Sequence, residues 1–188
     1  MRRNDVRRAA LVDAAIEVLA ERGARGLTFR AVDGAAAVPV GTASNYFANR
    51  DALLTQAAAR IYERIQPDEQ TNAGHLADPQ DRAKFAAVMH ETVHRIEGFP
   101  SGYLALLELR LEATRRPELQ AVLTRAVRGD IADNVSAHQA SGLPGDATSV
   151  RLLHMALNWL IVERLTLPGV YSEQEADELV ARAVERLI

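Results

Sequence analysis

The sequence predicts an all-α protein of about nine helices. Three observations lead to this fold class: alanine, leucine, arginine and glutamate are abundant, apolar residues recur every three or four positions, and no segment alternates as a strand does. Glycine and proline divide the helical segments from one another. With 188 residues the chain is long enough to bury a substantial core.

Four helices are predicted in the first 66 residues. The first spans 5–22 and stops at Gly23. Thr28 caps a short second helix, Pro39 suits the first turn of a third that ends near the aromatic pair, and Asn49 caps a fourth. Two short helices joined by about three residues, after a longer one, make a helix-turn-helix shape. The apolar residues predicted to face inward are Leu11, Ala15, Val18, Leu19, Phe29, Val32, Ala36, Phe47, Leu53, Leu54, Ala57, Ile61 and Ile65.

Five further helices are predicted in the rest of the chain. Asp78 before Pro79 starts one, Pro117 opens another, and Ser172 with Glu175 forms a capping box for the last. The predicted extents are about 78–97, 101–114, 117–138, 146–166 and from 172 onward.

Composition narrows the possible functions. The chain has no cysteine, which excludes a disulfide framework and a thiolate metal site. It has no run of about 18 apolar residues and no signal-peptide core, so we expect a cytoplasmic protein with no membrane partner. Residues 1–60 carry nine Arg against six Asp or Glu, a charge of +3, while the remainder carries −6. This asymmetry indicates that the N-terminal part meets a polyanion.

The segment HETVH at residues 90–94 raises a different possibility. Two histidines four apart on a helix, with a glutamate between them, have the spacing of a zinc hydrolase. On a helical wheel, however, His90 and His94 lie away from the apolar stripe, and Glu112 is the nearest sensible third ligand. Their alternatives are solvation, a bond to a neighbouring helix, or contact with an effector. The prediction is no enzyme, no metal and no cofactor.

The segment from Leu11 to Leu54, LVDAAIEVLAERGARGLTFRAVDGAAAVPVGTASNYFANRDALL, resembles the DNA-binding domain of TetR-type transcriptional regulators. The shared features are paired alanines and a terminal glycine in helix one, the Leu-Thr-Phe entry to helix two, Val-Pro-x-Gly-Thr, and Tyr-Phe at the end of helix three. The resemblance implies a DNA-binding domain at 1–48 and an effector-binding and dimerisation domain at 49–188, with 49–66 as a connecting helix.

Three positions depart from that family pattern. The usual turn glycine between helices two and three is Ala37, the usual alanine in helix two is Asp33, and the tyrosine common in helix three is Ser44. These changes leave the fold possible and alter what is expected of operator preference.

The resemblance also implies the residues that contact a double-stranded DNA operator. A basic arm and the second helix would contact phosphates, and helix three would face the major groove, with Asn45 able to pair with adenine and Val40 or Thr42 able to pack on a thymine methyl. The predicted DNA-binding residues are Arg2, Arg3, Thr28, Arg30, Val40, Gly41, Thr42, Ser44, Asn45, Tyr46 and Arg50.

The family further implies a homodimer that reads a palindrome, with half-sites roughly 34–36 Å apart, and a small-molecule effector that releases it. A body that binds a protein partner instead is the alternative. The predicted dimer interface is Leu153, Leu157, Leu160, Ile161, Leu179, Val180, Ala183 and Leu187. The predicted effector pocket, for which ordinary core is the competing interpretation, is Phe85, Met89, Tyr103, Leu107, Leu111, Met155, Asn158 and Trp159.

Overall fold

The computed structural model describes the backbone of residues 2–67, 71 and 81–188, with side chains from residue 4 onward in those ranges. Within these residues the chain forms nine helices and no strand, which confirms the predicted all-α class. The helices are α1 (Arg2–Gly26), α2 (Phe29–Ala35), α3 (Thr42–Tyr46), α4 (Arg50–Ile65), α5 (Arg82–Glu97), α6 (Pro100–Ala113), α7 (Pro117–Ser141), α8 (Ala147–Thr166) and α9 (Glu173–Leu187).

Helix α1 is longer than predicted and is broken at Gly23. This glycine has φ 66° and ψ 178°, a backbone conformation that other residues rarely adopt. At this break the amide of Ala24 does not follow the hydrogen-bonding pattern of the helix. It donates to Glu108 Oε2 at 2.8 Å. Glu108 of α6 therefore holds the kink in place.

The three caps predicted from local sequence are confirmed. The side chains of Thr28 and Asn49 accept from backbone amides at the starts of α2 and α4, and Ser172 forms the full capping box of α9. Their motifs are local, so tertiary packing did not need to be known.

One predicted helix start is wrong, and another lies outside the described residues. Helix α3 begins at Thr42 rather than Pro39, because Gly41 has φ 94° and the chain turns there before becoming helical. Helix α5 begins at Arg82 with Asp81 as its cap. The predicted start at Asp78 and Pro79 lies outside the described residues.

The first compact unit comprises residues 1–66 and 99–126. Helix α1 packs against α2, α4 and α6, while α2 contacts α3 and α4 contacts α6. Each large apolar side chain removed from water contributes about 1.5–3 kcal/mol. The largest fully buried side chains here are Leu11, Ile16, Val18, Leu19, Leu27, Phe47, Leu53, Leu54, Ile61, Leu109 and Leu119.

The second compact unit comprises residues 67–98 and 127–188. Its helices α5, α8 and α9 pack against one another, and Arg164 of α8 forms an ion pair with Glu97 of α5. Helix α7 runs from one unit into the other. Packing thus groups α4 and α6 with the N-terminal helices. The predicted boundary at residue 48, between a DNA-binding and an effector-binding domain, therefore stays a prediction about function.

Most residues predicted for the dimer interface instead fill the interior of this second unit. Helix α8 turns one apolar stripe toward α5 and α9, and that stripe is the one the sequence prediction selected. Leu179 is exposed, and Ala183 and Leu187 are half-buried. The five buried in their own chain are Leu153, Leu157, Leu160, Ile161 and Val180.

Among the helices in the described ranges, none is long and apolar enough to cross a membrane.

Candidate nucleic-acid interface

The turn after α2 contains the alanine that replaces the expected glycine. Ala37 has φ 51°, the left-handed conformation, and is the one non-glycine residue with positive φ in the described part of the chain. Its amide donates to Gly34 O at 3.1 Å, and the amide of Val38 donates to Asp33 O at 3.0 Å. These two bonds form a Schellman motif that ends α2. The departure at position 37 therefore keeps the backbone of the turn and adds strain.

The side chain of Asp33 caps helix α3 from across that turn. Asp33 is 1% exposed. Its Oδ2 accepts from the amide of Gly41 and its Oδ1 from the amide of Ala43, both at 2.7 Å. Gly41, the N-cap residue, has no side chain with which to satisfy these donors. A buried carboxylate thus fixes the start of the five-residue helix.

The residues predicted to contact base edges lie at an exposed surface. Val40 is 75% exposed, and Ser44 and Asn45 are exposed as well. Thr42 Oγ1 donates to Pro39 O at 2.5 Å and Ser44 Oγ donates to Gly41 O at 2.8 Å. Their oxygens remain able to accept from a base edge, and Asn45 offers a free amide. The arrangement presents a short polar surface flanked by the apolar tip of Val40.

Tyr46 ends α3 beside an arginine from α1. The Arg8 guanidinium carbon lies 5.9 Å from the Tyr46 ring centroid and 5.3 Å from that of Phe47. Arg8 Nη1 also donates to Gln56 Oε1 at 3.1 Å. Arg8 therefore connects α1 to the end of α3 and to α4 through a cation–π contact and a hydrogen bond.

Arg50, which the resemblance predicts to contact DNA, forms bonds within the chain. Its Nε donates to Leu27 O at 3.1 Å and its Nη2 donates to Ala24 O. Its Nη1 lies 3.9 Å from Glu112 Oε2. The guanidinium donates to two carbonyls at the end of α1, so its first role is to join α4 to α1.

Of the remaining predicted DNA contacts, Thr28 and Arg30 are described by the structure, whereas the side chains of Arg2 and Arg3 are not. Thr28 is exposed and its Oγ1 accepts from Ala31 N at 3.1 Å, which leaves the hydroxyl proton available. Arg30 is exposed on α2. For the predicted flexible arm, α1 begins at Arg2, and the side chains of Arg2 and Arg3 lie outside the described residues.

Sequence reasoning missed Asp33, Arg8 and Glu108 as positioning residues. A usable signal existed for Asp33, because position 33 falls in the same helical stripe as Phe29, Val32 and Ala36. A carboxylate on a core-facing stripe needs a partner. No comparable local signal marks Arg8 or Glu108, whose partners are distant in sequence.

The residues predicted for an effector pocket are scattered. Leu111 is exposed, and Met155 and Trp159 are 66% and 64% exposed, so these three are surface residues of the single chain. Tyr103 is buried, and burial raises the pKa of its hydroxyl to about 12. Tyr103 and Leu107 belong to the first compact unit. Phe85, Met89 and Asn158 are half-buried in the second and stay pocket predictions.

The histidines of HETVH face a neighbouring helix. His90 Nδ1 lies 3.4 Å and His94 Nε2 3.8 Å from the same Asp177 oxygen of α9. Glu112, considered as a third zinc ligand, is held by Arg115 and Arg116. No group of three possible metal ligands occurs among the described residues. The contacts support the alternative in which these histidines bond to an adjacent helix.

Comparison with known proteins identifies the family. The sequence family described as "Tetracyclin repressor-like, C-terminal domain" matches residues 80–188, and "Bacterial regulatory proteins, tetR family" matches residues 11–57. A curated relative, the HTH-type transcriptional regulator BetI of Rhizobium meliloti (strain 1021), is 27% identical over 63% of this chain and 57% of its own length. The chain therefore spans little more than half of that relative. BetI of Paraburkholderia phytofirmans is 23% identical over 96% of this chain and 90% of its own.

Solved structures agree with this assignment. The multidrug binding protein EbrR complexed with imidazole is 30% identical, with 94% of each chain covered and a TM-score of 0.63. A TetR-family member from Streptomyces coelicolor A3 is also 30% identical, over 94% of this chain and 97% of the other, with a TM-score of 0.68. The matching family models and the BetI relatives are those of transcriptional regulators, so HETVH does not mark an enzyme. The chain belongs to the TetR family of DNA-binding transcriptional regulators.

Proposed function

We propose that the protein is a cytoplasmic repressor that binds a palindromic operator as a homodimer and is released by a small-molecule effector. The observation that carries the proposal is the capped and exposed helix α3. Asp33 fixes the start of this helix from inside, while Ser44 and Asn45 on the helix and Val40 just before it are exposed.

Within this proposal the operator contacts divide into two kinds. Asn45, Ser44, Thr42 and Val40 read base edges in the major groove, with Gly41 allowing close backbone approach. Thr28, Arg30 and Tyr46, with Arg2 and Arg3, contact phosphates and set the register without reading sequence. Arg50 contributes by holding α4 on α1, as its two backbone bonds require.

The dimer interface is proposed on the outer face of α8 and α9. Leu152, Met155, Trp159 and Leu179 are exposed large apolar side chains on these two helices. Leu152, Met155 and Trp159 recur at three- and four-residue spacing, which places them on one side of α8. An exposed apolar face of this kind marks an interaction surface, and a second copy covers the same face by two-fold symmetry.

The effector site is proposed in the helical body, with Phe85, Met89 and Asn158 of the second compact unit as its wall. Similar solved structures of EbrR hold imidazole, proflavin and ethidium. Proflavin and ethidium are therefore sensible first probes for this chain. An effector that binds better to the form of the dimer with low DNA affinity lowers operator occupancy, and DNA lowers effector affinity by the same factor.

A gel shift tests the repressor proposal. The DNA upstream of the protein's own gene is titrated at two salt concentrations, with a scrambled duplex of equal length as the control. Selective binding that weakens as salt rises is expected, because phosphate contacts release counterions. Equal affinity for both duplexes contradicts the proposal. Proflavin or ethidium added to the same assay then tests release.

Trp159→Glu tests the dimer face by light scattering and the same gel shift. A buried charge at the centre of a two-fold interface is expected to give a monomer with far weaker operator binding. Leu111→Glu, at a similarly exposed apolar position of the first unit, is the matched control and should leave the dimer intact. A Trp159→Glu protein that is still dimeric rules out this face.

A further inference from the structure

An open cleft in the first compact unit is walled by charged side chains. Its volume is about 540 Å³. Arg25 comes from the last turn of α1, Arg50 from the start of α4, and Glu112 from the end of α6. Arg115 and Arg116, in the turn before α7, complete the lining. Five residues from four places in the sequence therefore meet around one space.

Glu112 organises the arginines at the base of this cleft. Its Oε1 accepts from Arg115 Nη2 at 2.8 Å, and its Oε2 lies 3.1 Å from Arg116 Nη2. Its side chain is largely buried. The hydrogen bond from Arg115 and the charges of Arg116 and Arg50 hold the pKa of Glu112 below its ordinary value, against burial. The carboxylate consequently stays ionised and keeps the guanidinium groups close together.

Positive charge exceeds negative charge around the cleft. Four arginines line it, and their neighbouring carboxylates are Glu112 and Asp51, the latter 3.2 Å from Arg116 Nε. Four positive charges less two negative ones leave +2. Arg25 has no hydrogen bond or ion pair within the described part of the chain. Each guanidinium carries five N–H donors, so donors outnumber the acceptors that the chain supplies.

We propose that this cleft binds a phosphorylated small molecule. Planar guanidinium groups recognise phosphate through paired hydrogen bonds, and Arg25 and Arg115 present such donors at the cleft. The volume lies within the range of about 300–1,000 Å³ typical of sites for small organic ligands, so it has room for more than a phosphate group alone. The Glu112 carboxylate oxygens have lone pairs beyond those that accept from Arg115 and Arg116, and these can accept from hydroxyl groups of the ligand.

The test is calorimetric titration of the full-length protein with pyrophosphate and ATP at low salt, with adenosine as the uncharged control. Binding of both phosphates and not of adenosine is expected. Arg25→Ala should weaken binding about five- to tenfold through loss of a charge-assisted contact. Arg22→Ala, one turn earlier on the same helix and outside the cleft lining, should change it less than about twofold. Arg25 makes no internal bond, so the variant is expected to fold.

Three results would overturn the proposal. The first is no heat with either phosphate, and the second is equal affinity of Arg25→Ala and the unaltered protein for ATP. The third is a cleft that serves DNA: Arg25→Ala then weakens duplex binding and lowers the salt slope by about one while neither small phosphate binds. The small-molecule titration does not depend on operator binding, so its failure leaves the repressor proposal standing.

Discussion

Replacing Asp33 with alanine removes both acceptors that hold the start of α3. The two bonds are 2.7 Å long and reach the amides of Gly41 and Ala43. A hydrogen bond to a charged group contributes about 1.5–3 kcal/mol, and water can partly replace the acceptor at Gly41. We therefore expect the free energy of unfolding to fall by about 3 kcal/mol. For a chain of this size that corresponds to a drop of about 6–12 °C in Tm.

Urea denaturation and thermal melting at one fixed protein concentration measure this loss, because the Tm of the proposed dimer depends on protein concentration. Asp33→Asn keeps the shape and one acceptor but directs an amide toward a backbone N–H, so it should lose most of the same stability. Glu21→Ala, an exposed carboxylate on α1, is the control and should stay within about 0.5 kcal/mol. Operator affinity should fall at least about tenfold for Asp33→Ala, equal to about 1.4 kcal/mol. A change in stability below about 0.5 kcal/mol would refute the capping role.

Three further predictions concern single residues. Ala37→Gly should stabilise the protein by about 0.5–1 kcal/mol in urea denaturation, because relief of about 1–2 kcal/mol of left-handed strain exceeds the added entropy of the unfolded chain. Ala35→Gly, at the last residue of α2, should destabilise the protein instead. The pKa of Glu112 is lower folded than unfolded, so its stabilising contribution is present above the ordinary value of 4.5 and disappears as pH falls through the folded pKa. Glu112→Gln should therefore flatten the acid limb of a stability–pH curve, and an unchanged limb would count against the arginine cluster. His138 is 3% exposed, and neither of its ring nitrogens is hydrogen-bonded to a residue that the structure describes. His138→Leu should therefore raise the free energy of unfolding by about 1–2 kcal/mol and raise Tm, and a fall in Tm would mean that the ring has a hydrogen-bond partner.

Helix α8 shows where sequence reasoning about the site reached its limit. At 100° per residue, Leu153, Leu157 and Leu160 form one apolar stripe, while Met155 and Trp159 form a second about 150° away. Periodicity identifies both stripes and does not say which one faces the chain's own core. Packing against α5 and α9 selects the first, so the leucines predicted for the interface are buried in the chain itself, and Met155 and Trp159, predicted for the pocket, are exposed. Caps such as Thr28 and Asn49 were predictable because donor and acceptor are three residues apart.

The two departures from the family pattern at positions 33 and 37 act on the same turn and in opposite directions. Ala37 strains the left-handed residue of the turn by about 1–2 kcal/mol, whereas Asp33 ties that turn to α3 through its side chain and ends α2 through its carbonyl. Asp33 holds both the end of α2 and the start of α3. It can keep the strained turn in one conformation, because the strain energy is smaller than the free energy of the hydrogen bonds that would break. If the sequence is compared with the family pattern one position at a time, each change is expected to alter operator preference separately. Since both act on the backbone that leads into α3, the position of this helix depends on their combined effect.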